Sequence, residues 1–137
     1  MALFSGMAVL GGWAIANIVL GLTKRRSSDG STKYYWEMNA LWNSINLAIA
    51  IIASAIAGIK YSAYSTDSAL QRLQIIIVAV NILLDIVYIA VGSWMEHEGK
   101  KRQSLKLIGY GNAIQLQGAF LFFFDSILAL TLIIATL

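Results

Sequence analysis

Residues 69–94 read ALQRLQIIIVAVNILLDIVYIAVGSW, and from Gln74 to Trp94 the only charged side chain is Asp85. A helix rises ~1.5 Å per residue and a bilayer's hydrocarbon core is ~30 Å thick, so about 20 mainly apolar residues suffice to cross it. The run is continuous and long. A membrane strand would instead show weak alternation over about ten residues. This segment therefore reads as a transmembrane helix.

Three other stretches read the same way. Ala2–Leu22 carries no charge, Tyr34–Ile59 carries only Glu37, and Ile108–Leu137 carries only Asp125. The segments between them are polar: TKRRSSDGSTK at 23–33, KYSAYSTDS at 60–68 and EHEGKKRQSLK at 96–106. Ser68 with Gln71 three residues later has the form of a capping box that starts the third helix. The expected architecture is all-α, a four-transmembrane-helix antiparallel bundle. It forms a single transmembrane domain with helices at about 2–22, 34–59, 69–94 and 106–136. The first apolar run has no basic residue ahead of it, so it reads as a retained helix and not a signal peptide.

Composition agrees. Hydrophobic residues make up 58% of the 137 and charged residues 12%, against roughly 45–50% and about 25% in soluble domains. The mean hydropathy is +0.71. There is no cysteine, which removes disulfides, thiolate metal sites and a catalytic thiol. There is no proline either, so no helix needs to break. The net charge is +3. The bases flank apolar runs and form no aromatic-interleaved face, which points away from nucleic acid. Anionic lipid headgroups are the expected partner of Lys24, Arg25, Arg26, Lys100, Lys101 and Arg102. A homo-oligomer or a membrane partner is compatible with the same surface.

Lys24, Arg25, Arg26 and Lys33 flank the first loop, and Lys100, Lys101, Arg102 and Lys106 lie in the third. Only Lys60 and Arg72 lie near the second, and neither terminus has a base. The positive-inside rule then places loops 23–33 and 96–106 in the cytoplasm and both termini outside.

Polar residues inside apolar helices are costly and face an interior. At ~100° per residue, each helix carries one such stripe. They are Gly6, Trp13 and Asn17; Asn39, Asn43 and Asn46; Gln74, Asn81, Asp85, Tyr88 and Gly92; and Gly111, Gln115, Gly118 and Asp125. Counted from the basic loops, Asn17, Asn43, Asp85 and Gln115 are expected in one layer, ~10–16 Å from that side. Asp125, nineteen residues beyond Lys106, is expected nearer the opposite end.

The candidate ligand-binding cluster is therefore Asp85 with Asn17, Asn39, Asn43, Asn46, Asn81, Tyr88, Gln115 and Glu37. In its plainest form Asp85 is a protonated acid hydrogen-bonded to Asn43 or Gln115. Polar residues in membrane bundles also act as interhelical glue. Glu37 lies among Tyr34, Tyr35 and Trp36, in an interfacial belt or at a cytoplasmic mouth to the centre. Glu96 and Glu98 read as loop residues. His97, the only histidine, reads as a solvated loop residue, since neighbouring helical residues do not face one another. No metal or cofactor is expected, and no catalytic residue is assigned. Hydrolytic motifs are missing, and Gly109-Tyr110-Gly111 opens a helix and not a filter loop.

The stretches NILLDIVYIAVGSW at 81–94 and GYGNAIQLQGAFLFFFD at 109–125 resemble small bacterial membrane proteins grouped as a family of unknown function. The resemblance implies a bacterial inner-membrane setting and no particular activity. Three readings stay open. One is a polar pocket around Asp85 that binds a small ligand or ion or carries protons. Another is a structural or partner-binding subunit whose polar stripe sets packing. The third is a membrane-embedded enzyme that uses Asp85 and Glu37.

Overall fold

A computed structural model describes residues 2–63 and 68–137, with the side-chain surroundings of 2–4, 57 and 59–70 left aside. Among these residues there are four helices and no strand: α1 Ala2–Ser27, α2 Gly30–Ala63, α3 Ser68–Arg102 and α4 Leu105–Thr136. All four are long and apolar enough to cross a membrane.

The helices outrun the apolar segments. Most of 23–33 and 96–106, expected as loops, is helical. Hydropathy marks where a segment stops being apolar, not where its helix stops. Lys, Arg, Glu and Gln are good helix formers. Lys24, Arg25 and Arg26 lie in the last turn of α1, and Lys100, Lys101 and Arg102 in that of α3, where cations face the negative end of the helix dipole. Glu96, His97 and Glu98 are accordingly helical residues of α3. The second connection, expected at 60–68, is only partly visible. α2 runs to Ala63 and α3 begins at Ser68, while 64–67 and the Ser68 cap lie outside the described residues.

The α3–α4 turn takes two residues. The Ser104 N–H donates to the Gly99 carbonyl at 2.9 Å and the Gln103 N–H to that of Lys100 at 3.4 Å. Gln103 takes the left-handed φ of 54° that this type of helix end requires. The Ser104 side chain then accepts from the Leu107 N–H, capping α4. At the α1–α2 turn the left-handed position is Gly30, with φ 61°.

Packing order is less simple than a ring of four. α1 packs on α2, α2 on α4, and α4 on α3, with a short α1–α4 contact. Among the described residues no Cα of α1 or α2 comes within 8 Å of one in α3. α3 therefore has its close backbone packing with α4, along Val78, Asp85, Gly92 and Gly99, four buried residues spaced by seven.

Glycine makes this seam close. A Cβ on Gly111 would stand 2.6 Å from both the Glu96 N and the Gly92 carbonyl oxygen, and one on Gly92 2.8 Å from the Gly111 oxygen. Gly109 meets the Ser31 carbonyl of α2 in the same way. Small residues that let backbones approach are the usual means of association for apolar helices. The outward faces are Leu, Ile, Val and Trp, with Leu83 64% and Ile127 66% exposed. A buried apolar cluster of Met7, Leu10, Ala50, Val78, Leu128 and Leu132 fills the end away from the two short turns.

Candidate functional site

Two separate polar systems lie within the helices. The first is an amide network joining α1, α2 and α4. The Trp13 indole N–H donates to Gln117 Oε1 at 3.1 Å. Gln117 Nε2 donates to Asn39 Oδ1, Asn39 Nδ2 to Asn17 Oδ1 at 2.8 Å, and Asn17 Nδ2 to the Trp13 carbonyl at 2.9 Å. The four residues close a ring in which every bond runs in one sense. Asn43 extends it by donating to the Asn39 carbonyl, and Asn46 Nδ2 lies 3.4 Å from Asn43 Oδ1. Phe120 covers the ring, stacked on Trp13 with centroids 3.9 Å apart. Asn39, Asn43 and Gln117 are fully buried. Unpaired, each would carry a desolvation cost of ~1–3 kcal/mol, and the ring meets most of that demand within the protein.

The second system lies where α4 meets α3. Asp85 on α3 and Asp125 on α4 are neighbours across the α3–α4 seam. They are 2% and 7% exposed. Two carboxylates repel, so a hydrogen bond between them requires that one of them hold a proton. Asp85 Oδ2 has no partner among the described residues. The register explains the meeting. Gly118 rests against the Asp85 backbone carbonyl and Ile89, and Asp125 follows Gly118 by seven residues on the same face.

Several expectations change here. The expected bond from Asp85 to Asn43 or Gln115 is not formed. The Asn43 amide donates to Asn39, and Gln115 Nε2 donates to Glu96 Oε2 at 2.9 Å. Asn17, Asn43, Asp85 and Gln115 thus divide among three hydrogen-bonded groups instead of sharing one. Asp125, twenty residues from Leu105 and eleven from Thr136, is the neighbour of Asp85 on α4. Depth counting treated a helix as a ladder of levels. Side chains tilt toward the helix N-terminus, and in antiparallel helices this tilt brings together residues whose Cα atoms differ in height. Asn81 and Tyr88 are half-buried on the α3 stripe, and Tyr88 meets Trp42 of α2 edge to face at 5.0 Å.

Glu37 belongs to neither system. It accepts from Tyr110 Oη at 2.7 Å and pairs with Arg25 Nε at 3.0 Å, tying α2 to α4 and α1 near the short turns. Asp85 and Glu37 have separate partners and form no common site. Lys24 lies over Trp36 and Lys106 over Tyr110 at the same end. Lys24, Arg25, Arg26, Lys33, Lys100, Lys101, Arg102 and Lys106 are all exposed there. His97 is exposed, and no group of three potential metal ligands occurs among the described residues.

Gln117 is the residue the sequence reading missed. Gln115 and Gln117 stand ~200° apart on one helix, so α4 is polar on two opposed faces. That signal marks a helix with neighbours on both sides, and only one stripe was assigned to it.

These features define a class: a four-helix protein with spans long and apolar enough for a membrane, holding a closed amide ring and a buried carboxyl pair. The chain belongs to a family of unknown function, DUF6992, whose profile matches residues 9–126. Both stretches that carried the resemblance, 81–94 and 109–125, fall within the match. No curated protein and no solved structure matches the chain.

Proposed function

We propose that this is a multi-pass protein of a bacterial inner membrane whose Asp85–Asp125 pair binds and releases a proton or another cation inside the bilayer. Its two short turns face the cytoplasm and its termini the outside. The observation that carries the reading is two acids buried in facing helices, Asp85 of α3 and Asp125 of α4, with one Asp85 oxygen unpartnered among the described residues. A charge inside the hydrocarbon costs at least ~2.5–3.5 kcal/mol, so an intramembrane acid without a basic partner suits reversible protonation. The basic, aromatic-lined turn end suits anionic headgroups.

The test is infrared difference spectroscopy of the protein in lipid vesicles across a pH series. A carboxylic-acid C=O band should titrate, and it should be altered in Asp85→Asn and in Asp125→Asn. A band unaffected by both substitutions, or no titrating band at all, sinks the reading.

The closed amide ring favours a second role for the rest of the polar stripe. With donors and acceptors engaged by one another, Asn17, Asn39 and Gln117 fix helix register. The ring supports the packing reading for α1, α2 and α4, and the ion reading is confined to the α3–α4 seam.

A further inference from the structure

Asn81 lies midway between Ser68, where α3 starts, and Trp94, deep within the apolar part of the helix. It is half-buried and stands ~40° round the helix from Asp85 and the buried seam with α4. Asn17, Asn39, Asn43 and Asn46 donate their side-chain amides to partners within the chain, whereas that of Asn81 has no partner among the described residues. Hydrocarbon offers it neither donor nor acceptor.

Its surroundings repeat every seven residues. Gln74, Asn81 and Tyr88 form one line, and Ile77 and Leu84 fall beside it at the a and d spacing of paired helices. Ile77 is 50% and Leu84 42% exposed, and Gln74 is half-buried. Tyr88 is already engaged edge to face by Trp42 of α2. The open part of the line therefore runs from Gln74 to Leu84, on the side of Tyr88 away from the short turns.

We propose that this line is the contact between two copies of the chain, paired about a twofold axis along the membrane normal with Asn81 opposite Asn81. The inference rests on the membrane reading and is independent of the two buried acids. The chemistry of the line selects a second copy. Copies inserted with one orientation share their depths, and residues near a twofold axis meet their own counterparts. Two carboxylates or two bases would repel there. A carboxamide is both donor and acceptor, so two of them satisfy each other. One asparagine at an a position between apolar d residues fixes register in paired parallel helices, and asparagine side chains bond across helices in lipid.

The experiment uses single cysteines in membranes of the expressing cell, since the full chain has none of its own. Ile77→Cys and Leu84→Cys retain Asn81 and should each form a disulfide between copies on mild oxidation. Leu83→Cys and Ile127→Cys should not, although Leu83 and Ile127 are more exposed, at 64% and 66%. Energy transfer between labelled copies in phosphatidylcholine vesicles, followed as lipid is added, then measures dimerisation. Asn81→Leu should weaken it roughly three- to thirtyfold, and Asn81→Gln should retain most of it. Neither variant should lower the thermal midpoint of the monomer in detergent. Cross-links as strong at Leu83 and Ile127 as at Leu84, copies that stay monomeric at every protein-to-lipid ratio, or unaltered dimerisation in Asn81→Leu overturns the inference. So does cross-linking of Leu84→Cys to a different protein alone, or a loss of monomer stability in Asn81→Leu, which would place the partner of the amide inside the chain. If Asn81→Leu fails to fold, the cysteine pattern decides. A monomer that resists extraction by alkaline carbonate removes this inference and leaves the membrane reading standing. A chain that carbonate releases removes both.

Discussion

Gln117 on α4 donates its side-chain amide to Asn39 on α2, and neither residue has any exposed surface. Asn39 in turn binds Asn17 on α1, so one glutamine completes a bond path across three helices. Gln117→Leu removes the acceptor of the Trp13 indole and the donor to Asn39 together. Each orphaned group costs ~1–3 kcal/mol, reduced where lipid-facing alternatives exist. Gln115→Leu loses a bond to the partly exposed Glu96 and should cost less than ~1 kcal/mol. Unfolding in mixed detergent should rank Gln117→Leu well below Gln115→Leu. An equal loss in both would show that the ring contributes little.

Asp85→Asn and Asp85→Leu separate hydrogen bonding from charge. Asparagine donates to Asp125 without needing a shared proton, so this variant should fold at wild-type stability or slightly above. Leucine leaves the Asp125 carboxyl buried beside an apolar side chain, at ~1–3 kcal/mol. Thermal unfolding in detergent checks the difference, and coincident midpoints would count against a coupled pair.

The α3–α4 seam should be intolerant of a single methyl group. A Cβ at Gly111 meets two backbone atoms at 2.6 Å, and neither can move without shifting a helix, so Gly111→Ala should cost about 1–3 kcal/mol. A Cβ at Gly12 meets nothing within 4 Å. Gly12→Ala should stabilise by ~0.5–1 kcal/mol through helix propensity alone. Opposite signs in the same unfolding assay are the expected outcome.

Orientation is open to cysteine labelling, aided by the absence of native cysteine. Ser28, in the α1–α2 turn, and Thr136, at the far end of α4, should react with impermeant maleimide from opposite sides, Ser28 only from the cytoplasm. Ser65, the other natural probe of the far side, lies outside the described residues. Labelling of a Ser28→Cys variant from outside intact cells would reverse the topology.

Four helices of membrane-crossing length and their apolar limits follow from the sequence alone, because hydrocarbon-length runs interrupted by polar segments leave few other solutions. The inward direction of Asp85, Asn39 and Asn43 was equally legible, since helical periodicity assigns a face to each residue. Helix ends were not, because Lys, Arg and Glu leave an apolar segment without leaving a helix. Nor was the choice of partner. Periodicity states which way Asp85 points but not which helix stands there, and that depends on the order α1–α2–α4–α3. The order is decided by where backbones can close, at Gly92, Gly109 and Gly111, and by α4 carrying polar side chains on two faces. With α4 central, its two faces receive different partners: Gln117 meets the amides of α1 and α2, and Asp125 meets Asp85. Only the tertiary structure divides a single expected cluster into a closed ring and a separate acid pair.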